Sequence, residues 1–161
     1  MSIIIRKMVR EDINSVQKVA QQSWHTTYED IIPYNIQENF LNTAYNHDMM
    51  VKRLASSYLF VAEKKGQVVG FANFSTVNCK GQLDLHAIYL VPTCQGNGIG
   101  TALLQKGIGE IEHIKEVYVE VEKENKTGIY FYEAKGFKTI KEYDDNFDGH
   151  ILKTVLMVLK L

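Results

Sequence analysis

Ile88-Tyr89-Leu90-Val91-Pro92-Thr93-Cys94-Gln95-Gly96-Asn97-Gly98-Ile99-Gly100 is the stretch on which the reading of this chain turns. The apolar run up to Val91 reads as a strand, and Pro92 ends it. Beyond the glycines, Thr101-Ala102-Leu103-Leu104 with Ile108 and Ile111 follow helical spacing, so a helix starts at the glycines themselves. A strand, a glycine loop and a helix N-terminus gather unpaired backbone N–H groups and the positive end of a helix dipole around one point. Glycines let a bulky anion approach closely, so a phosphate or pyrophosphate suits the place. A plain turn that needs a positive φ before a helix has the same appearance. A Walker loop needs lysine before the hydroxyl residue, and here Gly100 precedes Thr101 directly. A dinucleotide fingerprint places its last glycine three positions after the second, whereas these glycines fall at 96, 98 and 100. Glu120, at a strand end downstream, is the one feature in that reading's favour.

Working outward, Gln82 to Val91 alternates: Leu83, Leu85, Ala87, Tyr89 and Val91 share one face, and Asp84, His86, Ile88 and Leu90 the other. Tyr58 to Ala62 and Val68 to Phe74 read as a hairpin before it. At the N-terminus a short strand (Ile3-Ile4-Ile5) precedes an amphipathic helix through Ile13, Val16, Val19, Ala20, Ser23 and Trp24, with Asp12 placed to meet the free amides of its first turn. Ile36, Phe40, Leu41 and Tyr45, then Met49, Met50 and Leu54, suggest one or two further helical pieces. Downstream come a strand (Glu116 to Glu122), a short helix (Thr127 to Lys135) stopped by Gly136, and two closing strands, Phe137 to Tyr143 and Ile151 to Leu159. The order is βαα-βββ-α-β-α-ββ. That is a mixed α/β (α+β) arrangement: a central mixed, mostly antiparallel sheet flanked by helices, in one domain spanning 1–161.

Composition narrows the class of partner. The chain has 161 residues, 45% hydrophobic and 23% charged, which suits one folded domain burying roughly 70% of its unfolded surface. Eighteen Lys plus Arg against nineteen Asp plus Glu leave a net charge of −1, so no broad field favours nucleic acid or an anionic membrane. Two cysteines, Cys79 and Cys94, suggest neither a disulfide framework nor a zinc site, and no metal is expected. No apolar run approaches a membrane span and the N-terminus lacks a secretory pattern, so a cytoplasmic protein is expected.

The chain resembles the GCN5-related N-acetyltransferases, the GNAT family. Gln95, Gly98 and Gly100 match its acetyl-CoA motif, Gln/Arg-x-x-Gly-x-Gly/Ala. Asn125, then Tyr132, then Gly136-Phe137 match a later one. The resemblance implies acetyl-CoA as co-substrate. Backbone groups of Ile88, Tyr89 and Leu90 would bond the pantetheine arm like an added strand. Gln95, Gly96, Asn97, Gly98, Ile99, Gly100 and Thr101 would hold the pyrophosphate, with Asn125 and Tyr132 also at the cofactor.

Acyl transfer to an amine needs a free lone pair, yet a lysine-like amine with pKa of about 10 is protonated at neutral pH. The resemblance implies a carboxylate base on the strand from Val117 to Glu122, where Glu120 fits; Asp84 and His86 compete for that task, and water is a further route. It also gives Tyr132 the role of acid toward the departing thiolate. Cys94 lies in the cofactor loop with no base nearby in sequence, so direct attack in a ternary complex is expected. Trp24 and Tyr28, with Glu29 and Asp30, are candidates to line the acceptor cleft. Asp144, Asp145 and Asp148 form a second acidic group between the last strands. These acids suggest a small cationic amine, and the N-terminal half loosely resembles PaiA-type spermidine/spermine acetyltransferases. A protein or peptide amine, or an acetyl-CoA-binding module without turnover, are the alternatives. The apolar stretch from Ile151 to Leu159 suits the sheet interior or a homodimer contact.

Overall fold

The computed structural model of the chain describes residues 2–161. Its elements run β1 (Ile3–Lys7), α1 (Ile13–Tyr28), α2 (Tyr34–Ala44), α3 (His47–Ser56), β2 (Tyr58–Lys64), β3 (Gln67–Phe74), β4 (Gln82–Leu90), α4 (Ile99–Glu110), β5 (Glu116–Glu122), α5 (Lys126–Ala134), β6 (Lys138–Phe147) and β7 (His150–Lys160). The strands form one sheet in the order β1-β2-β3-β4-β5-β7-β6, antiparallel throughout except for β4 against β5. The apolar strand β7 therefore lies inside the sheet, between β5 and β6.

The apolar periods explain the layers. Ile13, Val16, Val19, Ala20, Trp24 and Tyr28 recur along one face of α1 and pack, with Leu41 and Met50 of α2 and α3, against one side of the sheet. Ile99, Leu103 and Leu104 of α4 and Tyr132 of α5 cover the other side. The stretch between α1 and β2 divides because Asn46 is a helix start: its side chain accepts the N–H of Met49 at 2.8 Å. Asp12 stands at the N-cap position of α1, but its side chain makes no bond to the helix amides. Its carboxylate instead receives both Arg6 guanidinium nitrogens, at 2.8 and 2.9 Å, and the N–H of Val9, which ties β1 to the entry of α1. The final strands are longer than their apolar cores, because Asp148 (φ 52) and Gly149 (φ 84) make a tight left-handed turn that lets β6 and β7 pair to their tips.

Two irregularities in β4 shape the middle of the molecule. Asn73 pairs with Ala87 and Phe74 with Leu85, so one step on β3 spans two on β4 and His86 is the extra residue. This bulge overturns the simple alternation expected for the strand. Leu83 and Leu85 pack under α4, but beyond His86 it is Ile88 and Leu90 that do so, while Ala87 and Tyr89 turn toward α1. The second irregularity is a parting of strands. β4 and β5 pair only at Gln82↔Glu116, Leu83↔Val117 and Asp84↔Tyr118, after which they separate.

One close approach fixes α4 on the sheet. A Cβ at Gly107 would lie 2.2 Å from the Phe74 ring, whereas one at Gly109 meets nothing within 4 Å. Gly107→Ala is expected to cost about 1–3 kcal/mol through overpacking, against the usual helix gain of Ala over Gly. Gly109→Ala in the same helix should be neutral or stabilising. Thermal unfolding followed by circular dichroism checks both, with a fall of several degrees for the first variant alone.

Candidate active site

Where β4 and β5 part, the β4 edge from Leu85 to Leu90 keeps backbone groups with no strand opposite them, and a cleft of about 880 Å³ opens through the sheet. His86 to Leu90 form one wall and Val119 to Glu122 the other. The glycine loop with the start of α4 closes one end, and Trp24 and Tyr28 of α1 with Phe147 of β6 line the opposite side. An extended ligand laid against β4 finds a ready row of N–H and C=O groups.

At the loop, Gly96 and Gly98 both have φ of +80°, a conformation that side chains resist, and Gly98 is the residue preceding α4. The first hydrogen bond of the helix runs from Ala102 N–H to the Gly98 carbonyl at 3.0 Å. The amides of Ile99, Gly100 and Thr101 thus have no partner within the helix. No side chain caps them and the first turn holds no acid. This helix end is therefore left for an external anion, and its position on the cleft fits a pyrophosphate.

The wall from β5 carries acid. Glu116, Tyr118, Glu120 and Glu122 alternate away from Val117, Val119 and Val121, which are core. The Tyr28 hydroxyl donates to Glu122 Oε2 at 2.5 Å, and the Tyr143 hydroxyl of β6 donates to Glu120. Burial pushes the Glu122 carboxyl up; the bond from Tyr28 opposes that, and the charges of Asp145 and Glu120 add to it. Tyr28 is raised well above the ordinary phenol by burial and by Glu122's charge, with Asn125 acting the other way. Tyr132 is also raised, first by burial and then by the charge of Glu122, so its phenol stays protonated at neutral pH. Across the parting, burial and the Arg53 guanidinium hold the His86 imidazole below its usual value, while Asp84 and Glu120 pull it up. The described residues lining the cleft include Glu120, Glu122 and Glu124, with Lys126 as the one lysine or arginine.

The comparisons with known proteins agree with this geometry. Residues 16–137 match the model of the acetyltransferase (GNAT) family. The chain belongs to the GNAT family. An uncharacterized N-acetyltransferase, YuaI of Bacillus subtilis, is 34% identical over 151 residues, covering 91% of this chain and 85% of that protein. A spermidine N(1)-acetyltransferase of Thermoplasma acidophilum is 30% identical over 146 residues, covering 86% and 89%. The crystal structure of the PaiA N-acetyltransferase of the same organism, in complex with coenzyme A, superposes with a TM-score of 0.87 at 25% identity over the whole of both chains. The protein is thus an acetyl-CoA-dependent N-acetyltransferase with the GNAT fold.

Within this GNAT cleft the expected residues divide. Ile88, Tyr89, Leu90, Gln95, Gly96, Gly98, Ile99, Gly100, Thr101, Asn125 and Tyr132 all line it, as do His86, Glu120, Trp24 and Tyr28. Asn97 stands exposed in the loop beside it. Asn125 also caps α5, accepting the Gly128 N–H at 3.0 Å. Trp24 and Tyr28 are only 3% and 5% exposed, so they border the cleft mainly as packed groups: Trp24 stacks on Phe40 with centroids 4.2 Å apart.

Several expectations are corrected. Asp84 and His86 do not share a face with Ile88 and Leu90, because the bulge intervenes; they front a smaller hollow of about 270 Å³ with Tyr118 and Glu120. Glu29 and Asp30 lie exposed past the end of α1, outside the cleft lining. The acids at 144–148, expected between the last two strands, lie instead within β6 and in the turn after it. Asp144 points outward to Lys153 at 3.5 Å, Asp148 sits in the turn and accepts from Asn39 at 3.2 Å, and only Asp145 shares the inner face with Tyr143 and Phe147. Cys94 is 6% exposed in the core and does not line the cleft. The pairs Tyr28–Glu122 and Tyr143–Glu120 join segments far apart in sequence, and strand parity, which puts Glu122 on the face of Glu120, was their only advance signal.

Proposed function

We propose that this GNAT enzyme acetylates the primary amine of a small cationic acceptor such as a polyamine, by direct attack within a ternary complex. The observation that carries the reading is the acidic wall: Glu120 and Glu122 face the cleft, with Asp145 behind them on the same sheet face, where Lys141 of β6 lies over the Tyr143 ring and outside the cleft lining. An ammonium there is balanced by carboxylates, and aromatic edges from Trp24 and Tyr28 suit its alkyl chain. The spermidine N(1)-acetyltransferase relative supports the same class of acceptor. The burial of Cys94 away from the cleft favours direct attack over an acetyl-cysteine route.

In this reading acetyl-CoA lies along the free β4 edge. Backbone groups of Ile88, Tyr89 and Leu90 hold the pantetheine arm, and one amide polarises the thioester carbonyl. Gln95 to Thr101 receive the pyrophosphate at the uncapped start of α4, and Asn125 holds α5 so that Tyr132 reaches the sulfur. The Tyr132 phenol, protonated throughout the working range, donates to sulfur as negative charge grows there; an unpaired thiolate is costly in a partly desolvated cleft. Glu120 and His86, which stand on opposite walls at the rim, pass protons to solvent.

Three measurements test this. Spermidine with acetyl-CoA should release CoA thiol in the presence of enzyme; turnover of peptides alone rejects the polyamine reading. Tyr132→Phe should lower kcat by about 10²–10⁴ with little change in the KM of acetyl-CoA, and full kcat from about pH 6 to 9 rejects the acid role. Gly98→Asp keeps a residue type that tolerates positive φ but sets a carboxylate at the anion site. Calorimetry should show acetyl-CoA binding lost while the melting temperature moves by only a few degrees; unchanged affinity removes the pyrophosphate assignment.

A further inference from the structure

We infer that Glu122 is the group that takes the proton from the acceptor ammonium, with Tyr28 as the residue that holds its carboxylate in place. The inference rests on the amine-acceptor reading above, and on any primary amine rather than on a polyamine in particular. Three observations carry it. Glu120 and Glu122 both line the main cleft, but Glu122 is half-buried there beside Tyr28, Asn125 and Tyr132, while Glu120 is exposed and also fronts the side hollow with Asp84 and His86. One Glu122 oxygen, Oε2, is fixed by the Tyr28 hydroxyl at 2.5 Å, and no other side chain among the described residues donates to Oε1. Finally, Glu122 and Tyr132 line the same cleft, and after burial it is the Glu122 charge that raises the Tyr132 phenol. With Tyr132 at the sulfur, the amine that attacks the adjacent carbonyl carbon enters the cleft that Glu122 also lines.

The step balances without any added reagent. An N–H bond of R–NH₃⁺ breaks and its proton forms an O–H bond on Glu122. The freed lone pair makes the N–C bond to the thioester carbonyl carbon, and the C–S bond breaks with its electron pair going to sulfur. The second N–H proton ends on sulfur by way of the Tyr132 hydroxyl. Glu122 returns its proton to solvent past Glu120 and His86, so the products are the acetamide, CoA thiol and one proton. Around Glu122 stand Tyr28 of α1, Tyr89 of β4, Glu120 of its own strand, Tyr143 and Asp145 of β6, Asn125 at the cap of α5 and Tyr132 within that helix. Burial and the neighbouring acids move its carboxyl up toward the working pH, which improves a base, and the Tyr28 bond restrains that rise.

The test compares two acceptors: the alkylamine that the wild type turns over fastest in a panel including spermidine, and its β,β-difluorinated analogue, a large fraction of whose amine is already neutral at neutral pH. Glu122→Gln should lower kcat for the alkylamine about 10²–10⁴-fold, leave acetyl-CoA affinity unchanged, and lower kcat for the fluorinated amine less than tenfold. Equal losses with both amines mean a structural role and overturn the inference, as does no loss with either. Failure of spermidine while another amine turns over counts against the polyamine reading alone. Tyr28→Phe supplies a second route that does not depend on the folding of Glu122→Gln. Without the hydroxyl, the charged carboxylate loses a donor and its pKa rises, so the acid limb of kcat/KM moves to higher pH. An unmoved limb overturns the inference.

Discussion

The parting of β4 from β5 is the constraint on which the rest of the molecule depends. Two parallel strands that pair over three residues and then diverge leave unpaired backbone in the middle of a sheet, a costly arrangement if nothing fills it. The bulge at His86 turns β4 at the point where pairing stops, and it sends Ala87 and Tyr89 to one core and Ile88 and Leu90 to the other. Both layers of helices are thereby anchored to the diverging part of the strand. The gap is held open by packing on both faces, so the polar backbone edge is part of the stable fold and remains free for a co-substrate.

In the proposed arrangement, a chain with a net charge of −1 receives a highly anionic co-substrate through backbone amides. Gly96 and Gly98 adopt positive φ, the first turn of α4 has no internal cap, and no acid competes there. A basic surface is unnecessary when a helix end and unpaired amides converge on one point. The acids divide by face: Glu120, Glu122 and Asp145 lie on the inner face of β5 and β6, whereas Asp144 and Glu142 on the outer face pair with Lys153 and Lys123.

How much of this was legible in the sequence follows from the range of the interactions. The β4–loop–α4 unit and the Asn125 to Tyr132 helix are contiguous, so residue type and spacing reveal them. The switch of faces in β4 was hidden, because a bulge depends on register against β3 and no residue within β4 announces it. The extent of β6 past Tyr143 is hidden for a similar reason: the polar alternation at 144–147 is that of an edge hairpin with one solvated face, which resembles the connection between strands in composition. Tyr28 and Glu122 are separated by 94 positions and meet only once α1 lies across the sheet.

In the proposed arrangement, that last contact makes the acceptor side depend on the whole fold, while the co-substrate side does not. Trp24 stacks on Phe40 and Phe147, tying α1 to α2 and to the tip of the β6–β7 hairpin, and His150 Nε2 meets the Ile31 carbonyl at 3.2 Å beside them. Tyr28 follows one helical turn after Trp24, so its hydroxyl is aimed at Glu122 by an aromatic cluster drawn from both ends of the chain. Replacing a residue in that cluster shifts the acceptor wall without touching the glycine loop. A fold built this way can change its amine by repacking α1, α2 and one hairpin, and keep the acetyl donor site intact.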